Sequence, residues 1–223
     1  MDGQADELEL APVHDVSNLS EGLRKLDEVA RANMLSLIAP IRERAPLSPI
    51  RDTISRLPLA ALSAHLPTER GDTLLTWAVR YGHTDVLRCL LRRGASVDGV
   101  TLRGGTALYI GCQEGHDTCV AILIASGAEV AAVNQRGITP LAVACRNGYS
   151  RCAQLLLDAG AAADTVLIRI HRSSITAMYV ACQRGRLECV QLLSSYGALR
   201  SFDGDTHTAD RLCKLMGHVA LTG

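Results

Sequence analysis

Short apolar runs that end in glycine recur through most of this chain, and residues 137–148 show the pattern most clearly. They read Gly-Ile-Thr-Pro-Leu-Ala-Val-Ala-Cys-Arg-Asn-Gly. Thr139 can cap the free amides of a helix start, and Pro140 then takes the first helical position, where no amide hydrogen is needed. The apolar residues that follow share one face, and Gly148 can end the helix in a left-handed conformation. The pattern predicts a short helix that needs neighbours to persist in water.

The same arrangement begins at three other threonines, Thr73, Thr106 and Thr176. With Thr139 included, successive starts are 33, 33 and 37 residues apart. Each start is followed by a second apolar run that leads to a Gly-Ala pair, at 94–95, 127–128, 160–161 and 197–198. A period near 33 residues indicates a solenoid, in which each unit buries its apolar face against its neighbours.

This threonine-initiated theme resembles the ankyrin-repeat family over residues 69–223. The resemblance implies an all-α fold, a solenoid of stacked helix-turn-helix units with short β-hairpin loops, made of four full repeats and a partial fifth. The sequence departs from the family pattern in two ways: Thr139 alone keeps the Pro, and the usual His three residues after each Thr is replaced in all four copies.

An acidic tail and a separate helical segment come before the repeats. Residues 1–16 contain Asp and Glu but no Lys or Arg, which favours a disordered tail. Residues 17–68 are predicted to form helices that act as a cap or a degenerate repeat, because the first repeat would otherwise expose an apolar side. Within them, apolar residues three or four apart predict a helix over 17–38, which could alternatively bind a partner.

Prolines divide the rest of this segment. Residues 39–49 contain three prolines and are interpreted as a linker, and residues 50–66 are predicted to form two short helices broken at Pro58. The tetrapeptide Ser48-Pro49-Ile50-Arg51 has two interpretations. It could be a helix cap followed by Pro at the first position, which we prefer, or a site that proline-directed kinases accept.

The end of the repeat region differs from the rest. The interval before Thr176 has four extra residues, and the aliphatic residues between 162 and 175 predict a longer hairpin. This hairpin could contact a partner or fold against the next hairpin. A partial fifth repeat starts at Thr208, so either a helix at 209–216 caps the array or the chain is a piece of a longer array.

Six of the eight cysteines follow the repeat period. They lie six or thirteen residues after a repeat Thr, at Cys112, Cys145 and Cys182 and at Cys119, Cys152 and Cys189. We interpret them as small buried apolar residues, because their spacing does not fit a zinc site. Reduced cysteines, with no signal-peptide pattern and no membrane-length apolar run, favour a cytoplasmic or nuclear protein.

The remaining chemistry argues against catalysis. No nucleophile, phosphate-binding or metalloprotease motif occurs, so no enzyme activity, cofactor, metal or small-molecule substrate is expected. His83, His116 and His218 follow a Gly and are interpreted as turn-stabilising. With 23 basic and 23 acidic residues the formal net charge is zero, which does not favour nucleic acid or membranes as partners.

The expected function is a scaffold or adaptor that binds another protein, and the chain is expected to be a monomer. The resemblance implies a groove formed by the residues just before each Thr and the seventh and eighth after it. In this sequence the candidates are Arg70, Arg80, Tyr81, Arg103, Gln113, Glu114, Arg136, Arg146, Asn147, Arg172, Gln183 and Arg184. Arginine pairs carboxylates in a forked geometry, so an acidic segment is the favoured partner. The alternatives are ordinary solvated arginines, or nucleic-acid or anionic-lipid binding through the arginine-lined groove.

Overall fold

The computed structural model describes residues 26–68, 70–164, 168–170 and 173–198. The chain divides into two compact units, residues 1–103 and 104–223, and each is described by itself. The described residues are mostly helical with one short hairpin, as the all-α prediction required. The predicted acidic tail, the partial fifth repeat, Arg172 and His218 lie outside the described residues.

The first unit begins with short helices: α1 (Glu28–Ser36), α2 (Ile38–Arg42), α3 (Leu47–Arg56) and α4 (Leu59–Ser63). The Asp27 carboxylate accepts a hydrogen bond from the Ala30 amide at 2.6 Å and so starts α1. The predicted helix over 17–38 is therefore confirmed at Glu28–Ser36, and the structure differs at the flanks, where Leu26 and Asp27 precede the helix and Leu37 separates α1 from α2.

The predicted linker over 39–49 is also largely wrong. Pro40 lies within α2 and Pro49 within the first turn of α3. Proline is tolerated in a first turn, because amides there have no acceptor inside the helix. The two short helices broken at Pro58 are confirmed, since α3 ends before it and α4 begins directly after it.

Contacts join these helices to the first repeat, which consists of α5 (Leu74–Arg80) and α6 (Thr84–Arg92). Helix α1 packs on α2, α3 and α4, while α2 packs on α5 and α3 on α6. The Trp77 indole nitrogen donates to the Ile38 carbonyl at 2.9 Å. Nε2 of His83 lies 3.1 Å from the Ala45 carbonyl, so this histidine holds a loop, as predicted.

The second unit contains three helix pairs: α7 (Ala107–Glu114) with α8 (Asp117–Ala125), α9 (Pro140–Asn147) with α10 (Ser150–Asp158), and α11 (Ala177–Gln183) with α12 (Leu187–Ser195). Helix α9 packs between α7 and α11, and α10 between α8 and α12. The hydroxyls of Thr106, Thr139 and Thr176 each accept a hydrogen bond from the amide three residues on, at 3.2 Å. Gly148, with φ of 86°, ends α9. The predicted repeat register is confirmed.

A hairpin fills the long interval between the last two pairs. Strands β1 (Ile168–Ile170) and β2 (Ser173–Ile175) are antiparallel, with Ile168 opposite Ile175 and Ile170 opposite Ser173. The interval with four extra residues therefore contains the longer hairpin that its β-branched and aliphatic residues predicted.

Candidate functional site

The four candidate residues of the first unit differ widely in exposure. Arg103 is exposed in a turn, and Arg70 is half-buried just before α5. Arg80 is 9 % exposed, and its Nη2 lies 2.7 Å from Oδ1 of Asp72, which is 1 % exposed. An arginine held in a buried ion pair has little surface to offer a partner. The prediction of Arg80 as a binding residue is therefore not supported by its position.

Tyr81, the fourth of these candidates, is half-buried at the end of α5. Its ring meets Trp77 edge-on, with centroids 4.8 Å apart and an angle of 63° between the planes. Burial raises the pKa of Tyr81, and the nearby guanidinium groups of Arg80, Arg42 and Arg70 lower it by less. The phenol is therefore neutral at physiological pH, and Asp72 stands beside these three arginines among its charged neighbours and raises its pKa. Sequence reasoning missed Arg42, because it lies in the stretch interpreted as a linker.

In the second unit the first helix of each pair ends at the same edge. We call this set the helix-end row; its members are Gln113, Glu114, Arg146, Asn147, Gln183 and Arg184. The Asn147 side-chain amide donates to the Gln113 carbonyl at 2.8 Å, which joins the end of α9 to the end of α7. Nε2 of Gln113 donates to the Glu114 carboxylate at 3.0 Å. Asn147 and Gln113 thus hold the α7 and α9 members of the row together.

The two arginines of the row differ from Arg80. Arg146 is half-buried and Arg184 is exposed. Within the described residues no carboxylate forms an ion pair with either of them. Both lie at helix C-termini, where a positive charge is favourable because the last carbonyls carry partial negative charge. Their positions allow both a contribution to helix stability and a contact with an anionic partner.

Arg136 does not join this row. It is exposed in the turn before α9, where its amide donates to Oδ1 of Asn134 at 2.9 Å. Helix α9 separates it from Arg146, and eight helical residues span about 12 Å. The described candidates of the second unit therefore fall at two places, the helix-end row and the turn that contains Arg136.

Sequence reasoning also missed Arg186, which reaches the helix-end row from the loop after α11. Its Nε donates to the Arg146 carbonyl at 3.3 Å, and a Cβ built on Gly148 would lie 2.8 Å from its Cδ. Arg186 is exposed. It lies ten residues after Thr176, the position that His83 and His116 occupy in their repeats. The repeat register could have identified it, had this position been examined for charge as well as for histidine.

The cysteines are placed as predicted, since the seven within the described residues are free and buried. Burial raises the pKa of Cys152 to about 11 and that of Cys182 to about 12. A hydrogen bond to Cys189, together with burial, raises the pKa of Cys145. Cys145, Cys152 and Cys182 are therefore protonated and poor nucleophiles at neutral pH. Within the described ranges no group of His, Cys, Asp or Glu could hold a metal ion.

A family model described as ankyrin repeats (3 copies) matches residues 51–134 and residues 126–205, together more than half of the chain. This protein belongs to the ankyrin-repeat family. Ankyrin repeats are generally non-enzymatic modules that bind other proteins. The match begins inside α3, ahead of the predicted array start at residue 69. No curated protein matches the chain. In the described part of this ankyrin-repeat protein, no helix is both long enough and apolar enough to cross a membrane.

Proposed function

We propose that this ankyrin-repeat protein is a non-enzymatic adaptor that binds an acidic segment of another protein along the helix-end row. The observation that supports this most is the row's charge. Arg146 and Arg184 lie at the ends of neighbouring helices, and Arg186 lies beside them. The carboxylate in the row, that of Glu114, accepts a hydrogen bond from Gln113. An anionic segment would therefore meet a surface that is positive at α9 and α11.

Helix spacing defines the segment that fits. Packed helices lie about 8–10 Å apart, so the ends of α9 and α11 are separated by one such spacing. A segment in the extended polyproline II conformation has three residues per turn and rises about 3.1 Å per residue, so residues three positions apart lie on the same face, about 9 Å apart. An extended segment with acidic residues three positions apart would place one carboxylate at each arginine. Arg186 lies between these helix ends and is positioned to share either carboxylate.

The first unit offers a second, separate contact. Tyr81 lies among Arg42, Arg70 and Arg80, and Arg80 is occupied by Asp72. A tyrosine that rests on a tryptophan and has basic neighbours can contact apolar and acidic groups of one ligand. We propose this patch as an additional anchor for the same kind of acidic partner.

Two further proposals concern the protein as a whole. Helices α2, α3 and α4 contact the first repeat, so we propose that residues 17–68 cap the array, with residues 51–68, which the family model includes, as a degenerate repeat. The free, buried cysteines support a protein that works in a reducing compartment, the cytoplasm or the nucleus, and we propose that it is a monomer.

The experiment measures fluorescence anisotropy of a labelled peptide that has Asp or Glu at every third position. The intact chain should bind it, and a peptide of the same composition with its acidic residues adjacent should bind more weakly. The double variant Arg146→Glu/Arg184→Glu should lose at least 100-fold in affinity, because hydrogen bonds to charged groups contribute about 1.5–3 kcal/mol each. Arg136→Glu is the matched control, since that residue is exposed but lies off the row.

Three results would count against the proposal. Equal affinity of the double variant and the parent, with unchanged circular dichroism, would remove the helix-end row as the binding surface. Equal loss in the Arg136→Glu control would indicate a general charge effect. Tighter binding of a single-stranded oligonucleotide or an anionic vesicle than of the peptide, with a steep linear salt dependence, would favour the alternative partner class.

A further inference from the structure

The tetrapeptide Ser48-Pro49-Ile50-Arg51 has no structural role that accounts for its serine. The residue at the cap position of α3 is Pro46, and no side chain caps the helix. Ser48 lies one residue inside the helix, so the preferred interpretation of this serine as a cap is wrong. Its side chain is exposed, and among the described residues its hydroxyl has no hydrogen-bond partner.

Three of the four residues that a proline-directed kinase would recognise are accessible to solvent. Ser48 and Pro49 are exposed, and the Arg51 side chain is 61 % exposed. Arg51 forms an ion pair with Asp52 at 3.9 Å, and an exposed pair of that length contributes little to stability. Ile50, at 1 % exposure, is the inward-facing member of the tetrapeptide.

The first turn of α3 can open at a small cost. Leu47 and Ser48 donate no hydrogen bond within the helix, because the first amides of any helix lack an acceptor there. Pro49 has no amide hydrogen at all. Opening the helix as far as Pro49 breaks the exposed hydrogen bond from the Thr53 hydroxyl to the Pro49 carbonyl at 3.0 Å, and it leaves the buried Ile50 and Ile54 in place. Helix ends open with free energies near the low end of the range for local unfolding.

We propose that Ser48 is a phosphorylation site for a proline-directed serine/threonine kinase that favours a basic residue three positions after the serine. In this reaction Oγ of Ser48 attacks the γ-phosphorus of kinase-bound ATP, and a new oxygen–phosphorus bond forms. The bond between the γ-phosphorus and the bridging oxygen breaks, ADP leaves, and the serine proton passes to the catalytic base of the kinase.

The phosphate would strengthen the start of α3. It carries about −1.5 to −2 charges and would lie at the positive end of the helix. Arg51 lies three residues on, on the same face, while Asp52 lies four residues on and opposes it. The amides and Arg51 outweigh this single exposed carboxylate. Because α3 packs on α1 and α6, a firmer first turn would stabilise the first unit.

The test treats the intact, folded chain with a kinase of this class and Mg-ATP, then locates phosphate by peptide mass mapping. We expect one phosphate, on Ser48, absent from Ser48→Ala and added at least tenfold more slowly to Arg51→Ala. The chain contains an internal control, because Thr139 is also followed by Pro but is 6 % exposed and has Ala three residues on. Thr139 should remain unmodified.

A synthetic peptide of residues 42–56 makes the result decisive. If the peptide is phosphorylated and the folded chain is not, the helix hides the serine and the proposal is wrong. If neither is phosphorylated, the tetrapeptide is not a substrate and the proposal is equally wrong. Hydrogen exchange of α3 should be slower in the phosphorylated chain than in the unmodified chain, and this slowing should be smaller in Arg51→Ala. Faster exchange in the phosphorylated chain would overturn the stabilising role of the phosphate.

Discussion

The buried ion pair between Arg80 and Asp72 can be tested directly against a role in partner binding. The two side chains are 7 % and 1 % accessible and meet at 2.7 Å. Arg80→Ala would leave the Asp72 carboxylate buried without this guanidinium. It would also remove the aliphatic stem of the arginine from the surroundings of α5. Both effects destabilise the first unit, and neither requires a partner.

The structure sets the size of the effect. Removing one partner of a buried ion pair costs about 3–5 kcal/mol, because the remaining charge is uncompensated. For a unit of about 100 residues, 1 kcal/mol corresponds to roughly 4–8 °C in Tm. A loss of about 3 kcal/mol or more should therefore lower the Tm of the first unit by about 12 °C or more. The matched control is Arg103→Ala, an exposed arginine of the same unit, which should change stability by no more than about 0.5 kcal/mol. Replacing the pair with Arg80→Met/Asp72→Leu should recover much of the loss.

The assay is urea unfolding followed by tryptophan fluorescence. Trp77 is the chain's one tryptophan, is 1 % exposed and lies in α5 less than one turn before Arg80, so it reports on the first unit. The midpoint of Arg80→Ala should lie clearly below those of the parent and Arg103→Ala. If Arg80→Ala and Arg103→Ala have the same midpoint, the ion pair does not stabilise the unit, and Arg80 becomes a candidate binding residue again.

Three shorter predictions concern the second unit. Leu156 is fully buried, so Leu156→Asp should lower the free energy of unfolding by about 3–5 kcal/mol in a urea titration, and a loss below 1 kcal/mol would contradict the repeat register. A Cβ on Gly115 would lie 2.6 Å from the Tyr149 ring, whereas no described atom lies within 4 Å of one on Gly185. Gly115→Ala should therefore lower Tm more than Gly185→Ala, and equal shifts would refute the contact. Burial raises the pKa of Cys152 to about 11, so the unfolded state loses its proton first. The free energy of unfolding should then fall as pH rises from about 9 to 11. The fall should be less steep in Cys152→Ala, and an unchanged slope would contradict the raised pKa.

Local rules account for what the sequence could predict. A threonine cap, an apolar run and a terminal glycine each act within a few residues, and four copies in register reinforce one another. This is why the helix starts at Thr139 and Thr176, the cysteine positions and the longer hairpin are confirmed. A buried cysteine that recurs with the repeat needs no more than the period to be recognised.

The N-terminal helices were harder to predict, because tertiary contacts decide them. Pro40 lies in a stretch interpreted as a linker, although a first turn accepts proline. The short helix α2 is held by packing on α5 and by the bond from Trp77 to the Ile38 carbonyl, across 39 residues of sequence. A contact between residues so far apart leaves no trace in local periodicity.

The candidate site shows why a position in the repeat does not determine its role. Arg80 and Arg146 both lie seven residues after their Thr, and the register treats them alike. Arg80 turns inward because Asp72 directly precedes Thr73 and accepts its guanidinium at 2.7 Å. The residue that directly precedes Thr139 is Ile138, whose side chain offers no acceptor, and Arg146 remains half-buried at the surface. An arginine at this repeat position is therefore either buried in an ion pair or accessible, according to the side chain that directly precedes the threonine. Its role follows from that side chain together with the repeat position.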